Sequence, residues 1–203
     1  MYNPLSGLYS EVKGSAEIYS DVLRLLSLNG CEEVADHSLK VANRAKSIAR
    51  YYGINEESAF VAGLLHDIGN IIPLEKRVAL CSELGIGVLE EEQLAPAMLH
   101  PKLSKIIARD IFLVDEEICN AIECHSTLKA DAGKLDMVLF VADKISWDRS
   151  YSEGFIDEML DSLNTSLECS ALEYLKYLHS GKAKVMHPWT IEAYSHLTDL
   201  CEQ

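Results

Sequence analysis

The sequence predicts an all-α fold, from the spacing of its apolar residues and from the residues that interrupt that spacing. Apolar side chains recur at three- and four-residue steps along most of the chain, whereas the alternating pattern of a half-buried strand is scarce. Residues that favour helix ends, such as Asn29-Gly30 and Gly53, stand where the helical runs stop. A chain of 203 residues forms one sizeable core, so we expect a single domain over residues 1–203.

The helical segments follow from this periodicity and from local capping signals. Asn55 is a suitable N-cap followed by acidic first-turn residues, Gly63 permits a close approach between helices, and Pro101 suits a first helical turn. Ser126 to Lys134 is a polar separator between two helices. The predicted helical segments are 15–28, 32–52, 55–69, 74–84, 100–112, 115–125, 135–145, 155–167, 172–179 and 187–200, and a looser acidic stretch lies at 90–93.

The charge and the cysteine content exclude several classes of protein. A net charge of −14 argues against a general nucleic-acid binder, because affinity for a phosphate backbone comes mainly from Lys and Arg. It permits a small phosphorylated substrate if a bound cation reverses the local field. The six cysteines form no C-x-x-C pair, residues 1–14 do not resemble a signal peptide, and no apolar run approaches the roughly 18–20 residues of a membrane span. We therefore expect a reduced, cytoplasmic protein that binds neither nucleic acid nor membrane.

Histidine and aspartate residues recur along the chain in an order typical of a metal site. The doublet His66-Asp67 lies at the end of a predicted helix, between apolar residues. The whole series has four histidines and two aspartates, namely His37, His66, Asp67, His100, His125 and Asp143. Imidazole and carboxylate ligands suit iron, manganese, zinc and nickel, so the ligand types leave the identity of the metal open.

The series is large enough to hold two divalent metal ions. One ion is assigned four ligands, His37, His66, Asp67 and Asp143. The carboxylate of Asp67 is expected to reach a second ion held by His100 and His125. Two close metals lower the pKa of a shared hydroxide and clamp a phosphate during in-line attack, so water is the expected nucleophile. His66 and Asp67 are the predicted catalytic residues.

Each of these residues also has an ordinary structural explanation. A histidine on an apolar helix face is more often a hydrogen-bonded core residue than a ligand, and a His-Asp pair is common by chance. The order of the whole series, at helix faces and ends, favours the metal site. Asp36 and Asp136 are candidate hydrogen-bond partners for the ligands. The remaining histidines are predicted to be structural or surface residues, with His187 the first exception because it precedes a helix start: His179, His187 and His196.

Several motifs resemble those of one enzyme family. The histidine and aspartate series is similar to that of the HD-domain metal-dependent phosphohydrolases, which are named for a doublet of the type His66-Asp67. Further stretches between Glu33 and Leu197 look like the YqeK group of that family. They are Val41-Ala-Asn-Arg-Ala, Ala62-Gly-Leu-Leu-His-Asp, Ala121-Ile-Glu-Cys-His-Ser-Thr, Phe140-Val-Ala-Asp-Lys-Ile and His187-Pro-Trp-Thr-Ile-Glu-Ala-Tyr.

The resemblance implies a fold, a cofactor and a reaction. It implies an HD-domain helical bundle with its metal core at about 33–150 and with C-terminal helices, 152–203, packed onto that core. Members of the group have a di-iron-type centre, so iron is the foremost of the candidate metals. They cleave diadenosine tetraphosphate symmetrically into two ADP molecules. Phosphoanhydride hydrolysis on a nucleotide is therefore the implied activity.

The resemblance also indicates residues that would bind the substrate. Arg149 aligns with the group's arginine after its metal-binding aspartate, and a guanidinium can hold phosphate by a bidentate contact. Asn70 stands where many members have a lysine. The residues that could compensate are Lys129, Lys144 and Lys102, of which the first two are more often solvated helix-end residues.

Aromatic residues near these positions have two interpretations. Trp147 and Tyr151 flank Arg149, where they would either stack on a nucleobase or pack in the core. Trp189 and Tyr194 lie on the last predicted helix and indicate a core contact or a homodimer contact.

Three functions remain open from the sequence. The first is hydrolysis of the central anhydride of a dinucleoside tetraphosphate. The second is an HD-type phosphatase or phosphodiesterase that acts on another nucleotide. The third is a nucleotide-sensing module without turnover, for which a pair of water-activating metals has little use.

Overall fold

The computed structural model describes Leu5, residues 18–147 and residues 154–201. This part of the chain contains α-helices and shorter helical turns but no strand, which confirms the predicted all-α fold. Its helices are α1 (Ile18–Leu28), α2 (Glu32–Tyr52), α3 (Glu56–Leu65), α4 (Arg77–Glu83), α5 (Glu90–Leu94), α6 (His100–Asp110), α7 (Glu116–Cys124), α8 (Lys134–Ile145), α9 (Phe155–Leu163), α10 (Leu167–Tyr177) and α11 (Pro188–Cys201). None of these helices combines the length and the apolar composition needed to cross a bilayer.

Two capping residues shape the turn between α2 and α3. Gly53 adopts a left-handed conformation, with φ of 69°, and its N–H bonds to carbonyl oxygens at the end of α2. The side chain of Asn55 then accepts hydrogen bonds from the N–H groups of Glu57 and Ser58, at 3.0 and 2.9 Å. The bounds of α2 are those that the sequence predicts, and the short turn makes α2 and α3 antiparallel neighbours.

Three predicted boundaries are wrong for local reasons. The segment predicted to run to Gly69 leaves the α-helix at Leu65, because the chain tightens into a 3-10 turn over Ile68–Ile71. The segment predicted to end at Leu167 stops at Leu163, and the next helix begins at Leu167. The reason is Ser166, whose hydroxyl accepts the N–H of Cys169 at 3.0 Å and so caps a new helix.

Helix α8 is the centre of the fold. All of its residues from Leu135 to Ile145 are buried, and α2, α7 and α10 pack around it. A helix that is buried on every side belongs to a core, and each fully buried Leu, Ile, Val or Phe contributes about 1.5–3 kcal/mol to folding. The same burial carries two charged residues, Asp143 and Lys144, into the interior.

A close crossing between α2 and α3 depends on one glycine. A Cβ placed on Gly63 would lie 2.5 Å from the Cα of Ala42, a distance that packed atoms do not adopt. The two helix backbones therefore touch at this point, as the sequence predicts. Because the helices are antiparallel, the crossing brings the first half of α2, which carries His37, towards the end of α3.

All six cysteines are free thiols. Cys119 and Cys124 are buried, and burial raises the pKa of both thiols, so neither is a ready thiolate ligand. Their chemistry agrees with that of small apolar core residues.

Candidate metal centre

The structure brings the six predicted ligands together from separate elements. His37 lies on α2, His66 ends α3 and Asp67 follows it, His100 begins α6, His125 ends α7, and Asp143 lies near the end of α8. A small cavity of about 170 Å³ is lined by all of them except His66, which is fully buried. The set therefore converges at one point although it spans most of the helical bundle.

Two overlapping groups of these side chains have the spacing that a metal ion needs. His37, His66 and Asp143 each offer one ligand atom, and these atoms lie within 4.8 Å of one another. His66, Asp67 and His125 form a second such group. The cluster could therefore hold a metal ion at either group.

Asp67 faces histidines with both of its carboxylate oxygens. Its Oδ2 lies 3.5 Å from Nε2 of His66. Its Oδ1 lies 3.0 Å from Nε2 of His100 and 3.6 Å from Nε2 of His125. Burial alone would raise the pKa of Asp67, but the three neighbouring imidazoles outweigh it and hold the pKa well below the ordinary value. The two oxygens of Asp67 thus face different histidines.

The backbone at Asp67 explains how adjacent residues share one site. Asp67 leaves the helical conformation, with φ of −107° and ψ of 7°, so its side chain and that of His66 can face the same space. Gly69 then lets the chain lie against the start of α6, because a Cβ there would meet the carbonyl oxygen of His100 at 2.5 Å. The N–H of Gly69 donates to the hydroxyl of Ser104 at 2.8 Å, which anchors this contact.

Three imidazoles are oriented by hydrogen bonds to backbone carbonyls at helix ends. In each case Nδ1 donates to the carbonyl oxygen three residues earlier, in the helical turn that precedes the ring. The pairs are His66 with Gly63 (2.8 Å), His100 with Ala97 (2.7 Å) and His125 with Ile122 (2.8 Å). Because a carbonyl only accepts, Nδ1 carries the proton, and Nε2 is the ring atom that faces the carboxylate of Asp67.

The Nε2 atoms of these rings lie in one cluster with Asp67, which fits a bound cation. Nε2 of His66 is buried and has no hydrogen-bond partner in the described residues. Nε2 of His100 lies 3.1 Å from Nε2 of His125, and both lie near the carboxylate of Asp67. A buried polar atom without a partner is costly. A divalent metal ion bound to Nε2 of His66 would remove this penalty, so the donor set fits the metal that the sequence predicts.

Asp143 and His37 form the other side of the cluster. Nε2 of His37 lies 3.0 Å from Oδ1 of Asp143. Burial would lower the pKa of His37, but this hydrogen bond outweighs it and raises the pKa above the ordinary value. The indole N–H of Trp147 donates to the same oxygen at 3.3 Å. Asp143 is therefore held by His37 on α2 and by Trp147, which lies two residues after the end of α8.

Lys144 is a buried partner of Asp143. Its ammonium donates to Oδ2 of Asp143 at 2.5 Å and to the carbonyl oxygen of His125 at 3.2 Å. The side chain is 3% exposed, so its interpretation as a solvated helix-end lysine is wrong. Burial would raise the pKa of Asp143, but Lys144 and His37 hold it far below its usual range. Lys144 lines the cavity and compensates the charge of Asp143 there.

Asn70 also lines the cavity, supported by a residue that the sequence reasoning missed. The side-chain oxygen of Asn70 accepts a hydrogen bond from Arg77 at 2.8 Å, which leaves its amide N–H groups free to donate elsewhere. Arg77 is buried and also bonds to the carbonyl oxygens of Ile72 (3.1 Å) and Ala97 (3.3 Å). Nothing in the sequence of the short predicted helix 74–84 indicated that Arg77 would support Asn70.

Lys129 and Lys102 are not among the described residues that line the cavity. Lys129 pairs with Asp136 at 3.3 Å, at the first turn of α8, seven residues before Asp143 and thus about 10 Å along the helix. Lys102 pairs with Glu92 at 2.8 Å. Arg149 and Tyr151 lie outside the described residues. Trp147 is 39% exposed, lines the cavity and packs edge-to-face on Phe155 and Tyr174, so both interpretations of its indole retain support.

The predicted carboxylate partners of the ligands are wrong. Asp136 accepts the N–H of Gly133 at 3.0 Å and caps α8 instead. Asp36 is exposed on α2. Carbonyl oxygens fill the orienting role for three of the histidines, because each ring lies one helical turn after the carbonyl oxygen that its Nδ1 reaches.

The other histidines have structural contacts. His179 stacks on Tyr194 with ring centroids 3.9 Å apart, and His196 is exposed. His187 is buried, and its Nε2 lies 3.5 Å from Glu92, a carboxylate that is 1% exposed. Glu92 also accepts the N–H of Leu89 at 2.8 Å, and with Lys102 it forms a polar cluster separate from the ligands. Burial would raise the pKa of Glu92, but the hydrogen bonds outweigh it and lower the pKa.

Comparison with known proteins agrees with this geometry. Residues 34–148 match the family model for the HD domain. The chain is similar to the "Uncharacterized protein in pepC 5'region" of Lactococcus lactis subsp. cremoris, with 45% identity over 141 residues, which are 69% of this chain and 72% of the relative. It is also similar to the symmetrical bis(5'-nucleosyl)-tetraphosphatase of Bacillus subtilis, with 25% identity over 143 residues, 69% of this chain and 74% of that protein.

A solved structure has the same fold. It is the crystal structure of a predicted HD superfamily hydrolase involved in NAD metabolism from Clostridium acetobutylicum. The TM-score is 0.83 at 28% sequence identity, and the match covers 92% of this chain and 100% of the other.

Proposed function

This chain belongs to the HD domain family, and from that premise we propose that it is a metal-dependent hydrolase that splits the central phosphoanhydride bond of diadenosine tetraphosphate into two ADP molecules. One observation carries the hydrolase chemistry. Asp67 directs one oxygen at His66 and the other at His100 and His125, so the same carboxylate would help to hold metal in either part of the cluster, where the metal would activate water. The similarity to a symmetrical tetraphosphatase supports the choice of substrate.

The proposal keeps the assignment of ligands to two metal ions that was made from the sequence. His37, His66, Asp67 and Asp143 would hold one ion, while His100, His125 and the second oxygen of Asp67 would hold the other. Divalent ions there supply a lowered pKa for water and a positive field for phosphate. Iron is the proposed metal, in agreement with the family resemblance of the sequence.

The chain's own residues would orient the polyphosphate. Lys144 compensates Asp143, so the carboxylate adds little repulsion towards an anionic substrate. Asn70 has free amide donors at the cavity, and Arg77 behind it supplies the positive charge that a lysine at position 70 would bring. Arg149 is proposed as a further phosphate contact. These groups offset a chain charge of −14 only near the cluster.

The proposed reaction consumes one water. The water oxygen bonds to an inner phosphorus, the bond from that phosphorus to the central bridging oxygen breaks, and each half leaves as ADP. The cysteines are free thiols, which supports a reducing compartment and a cytoplasmic substrate.

Product analysis tests the proposal. The metal-loaded protein should release ADP as the sole nucleotide product from diadenosine tetraphosphate, measured by anion-exchange chromatography. ATP plus AMP would contradict symmetrical cleavage. Faster turnover on a nucleoside monophosphate or a cyclic nucleotide would favour another HD-type activity, and tight nucleotide binding without phosphate release under any divalent metal would favour a sensing module.

A further inference from the structure

Two thiols meet where helices α10 and α11 pack against each other. The two helices are antiparallel neighbours. Near one end of the pair, His179 stacks on Tyr194. Near the other end, the Sγ atoms of Cys169 and Cys201 lie 3.1 Å apart. The two cysteines stand 32 residues apart in the sequence, so the fold and not the local chain brings them together.

This contact is close to the arrangement that a disulfide needs. An S–S bond is about 2.05 Å long, so the two sulfur atoms would have to approach by about 1 Å, which small side-chain rotations provide. Two sulfurs lie this close only if the Cβ atoms that carry them point towards one another, which is the condition that a disulfide sets on the backbone. Because both cysteines lie on packed helices, their sulfurs are held together before any bond forms.

The other four cysteines do not combine these features. Three of them are buried, namely Cys81, Cys119 and Cys124. Cys31 is partly exposed, but its sulfur faces the carbonyl oxygens of two asparagines and not another sulfur. Cys169 and Cys201 are both partly exposed and have each other as sulfur partners. They therefore form the pair of thiols that is arranged for oxidation.

The positions of the two cysteines at helix ends give their sulfurs different roles. Cys169 lies in the first turn of α10, where the hydroxyl of Ser166 accepts its N–H at 3.0 Å and where the helix dipole stabilises negative charge. Cys201 is the last residue of α11, where the dipole opposes negative charge. Burial and the hydrogen bond from Cys169 raise the pKa of the Cys201 thiol to about 12. Because the thiolate is the reactive form of cysteine, Cys169 is the sulfur that attacks first.

We infer that Cys169 and Cys201 are a site of reversible oxidation, at which a small-molecule disulfide of the glutathione type converts the two thiols into one disulfide bond. The thiolate of Cys169 attacks one sulfur of the oxidant, whose S–S bond breaks, and the other half of the oxidant leaves as a thiol with the proton from Cys169. The sulfur of Cys201 then attacks that of Cys169, loses its proton and releases the second half as a thiol. Two electrons and two protons thus pass from the protein to the oxidant.

The new bond would fasten the end of α11 to the start of α10. A cross-link between residues 32 positions apart removes conformational freedom mainly from the unfolded chain, so it stabilises the folded chain. Helix α10 packs against α8, which carries Asp143. The oxidised protein would therefore hold its C-terminal helices on the core that carries the metal ligands more firmly than the reduced protein does.

Peptide mapping of the full chain tests the pairing. Trypsin places Cys169 in the peptide 150–176 and Cys201 in the peptide 185–203, and neither peptide contains another cysteine. After equilibration with oxidised glutathione, mass spectrometry without reductant should find these two peptides joined, in a monomeric chain that is lighter by two hydrogen atoms. The absence of the joined peptides, or their presence only between two different chains, would overturn the inference.

Serine variants test the order of attack. Cys201→Ser should accumulate the mixed disulfide between Cys169 and glutathione, because the second attack is lost. In Cys169→Ser, glutathione should appear on Cys201 at least about tenfold more slowly, because the Cys201 thiol is rarely ionised at neutral pH. Cys31→Ser is the matched control, since Cys31 is also partly exposed, and it should form the cross-link like the parent. Equal rates of glutathione transfer in Cys169→Ser and Cys201→Ser would contradict Cys169 as the attacking sulfur.

A comparison with the unfolded chain distinguishes a site built by the fold from two cysteines that meet at random. The equilibrium constant for forming the disulfide with oxidised glutathione should be at least about tenfold larger in the native chain than in concentrated urea. By linkage, oxidation should raise the Tm of the parent by at least about 3 °C and should leave the Tm of Cys169→Ser unchanged. Equal equilibrium constants in the native and the unfolded chain, or a lower Tm for the oxidised parent, would overturn the inference.

Discussion

Oδ1 of Asp67 lies 3.0 Å from Nε2 of His100, across the interface between the end of α3 and the start of α6. The contact is possible because Gly69 lets the two backbones touch. The other oxygen of Asp67 faces His66 at 3.5 Å, so one carboxylate joins two groups of imidazoles. Removal of this carboxylate therefore affects both proposed metal positions at once.

Asp67→Ala should abolish ADP release and strip most of the bound metal. The loss of activity should exceed the roughly 10–100-fold effect typical of residues that only support a ligand, because the carboxylate itself is assigned as a ligand of both metal ions. Metal content by plasma mass spectrometry and product chromatography measure the two effects. Asp36→Ala is the matched control, since Asp36 is exposed. Equal activity in Asp67→Ala and the parent would refute the assignment.

Metal should raise the thermal stability of the protein through His66. A ligand that binds only the folded state at about 100 times its Kd stabilises by about 2.7 kcal/mol. Addition of Fe²⁺ or Mn²⁺ to the chelated protein should raise Tm, measured by differential scanning calorimetry. His66→Ala should lose most of this increase, and His196→Ala, at an exposed position, should keep it. The same metal-dependent increase in both variants would count against His66 as a ligand.

Lys144→Met should destabilise the metal-free protein by about 3–5 kcal/mol, because it leaves the buried carboxylate of Asp143 without its partner. The loss should be smaller in the metal-loaded protein, where a cation compensates the same carboxylate. Urea unfolding with and without chelator measures the difference. Lys134→Met is the control on the same helix, since Lys134 is exposed. An equal loss for both variants would mean that Lys144 has no special role.

Glu92→Gln should remove a pH-dependent part of the stability. The pKa of Glu92 is lowered in the folded protein, so the charged form contributes stability above the unfolded pKa of about 4.3, and this contribution is lost as the pH falls through the lower folded pKa. Near pH 7 the parent should therefore unfold at a higher urea concentration than the variant, and the difference between their urea midpoints should shrink below about pH 4. A difference that stays constant with pH would contradict this account.

Gly63→Ala should destabilise the protein by about 1–3 kcal/mol, because the new Cβ would lie 2.5 Å from the Cα of Ala42 and would push α2 away from α3. Gly87→Ala is the matched control, since a Cβ there meets no atom within 4 Å. Thermal unfolding measures both. A smaller Tm decrease for Gly63→Ala than for Gly87→Ala would show that the helices can separate without cost.

The helices and the convergence of the ligand residues could be predicted because their signals are local. Capping residues such as Asn55 and Gly53 mark where helices begin and end, and the ligand series stands at those ends. Ser166 was a comparable signal that was overlooked, which moved two boundaries. The continuous apolar sequence around Asp143 was another local signal that was not used: this helix is buried, and Lys144 with it.

The hydrogen-bond partners could not be predicted, because they depend on ring orientation and on contacts between distant elements. The carbonyl oxygens that orient His66, His100 and His125 carry no signature in the sequence, since every residue has one. The support that Arg77 gives to Asn70 depends on how a short helix docks after the doublet.

Nδ1 of His66, His100 and His125 bonds to a carbonyl oxygen of the preceding helical turn. The direction in which each ring points therefore depends on the number of residues in the helical segment that precedes it. One residue added or removed upstream within α3 or α7 turns the following side chain by about 100° and shifts it by about 1.5 Å along the axis. A ring turned by that angle no longer places its Nε2 atom in the ligand cluster. Relatives that conserve this centre should therefore vary in their loops and keep the residue count of α3 and α7 fixed.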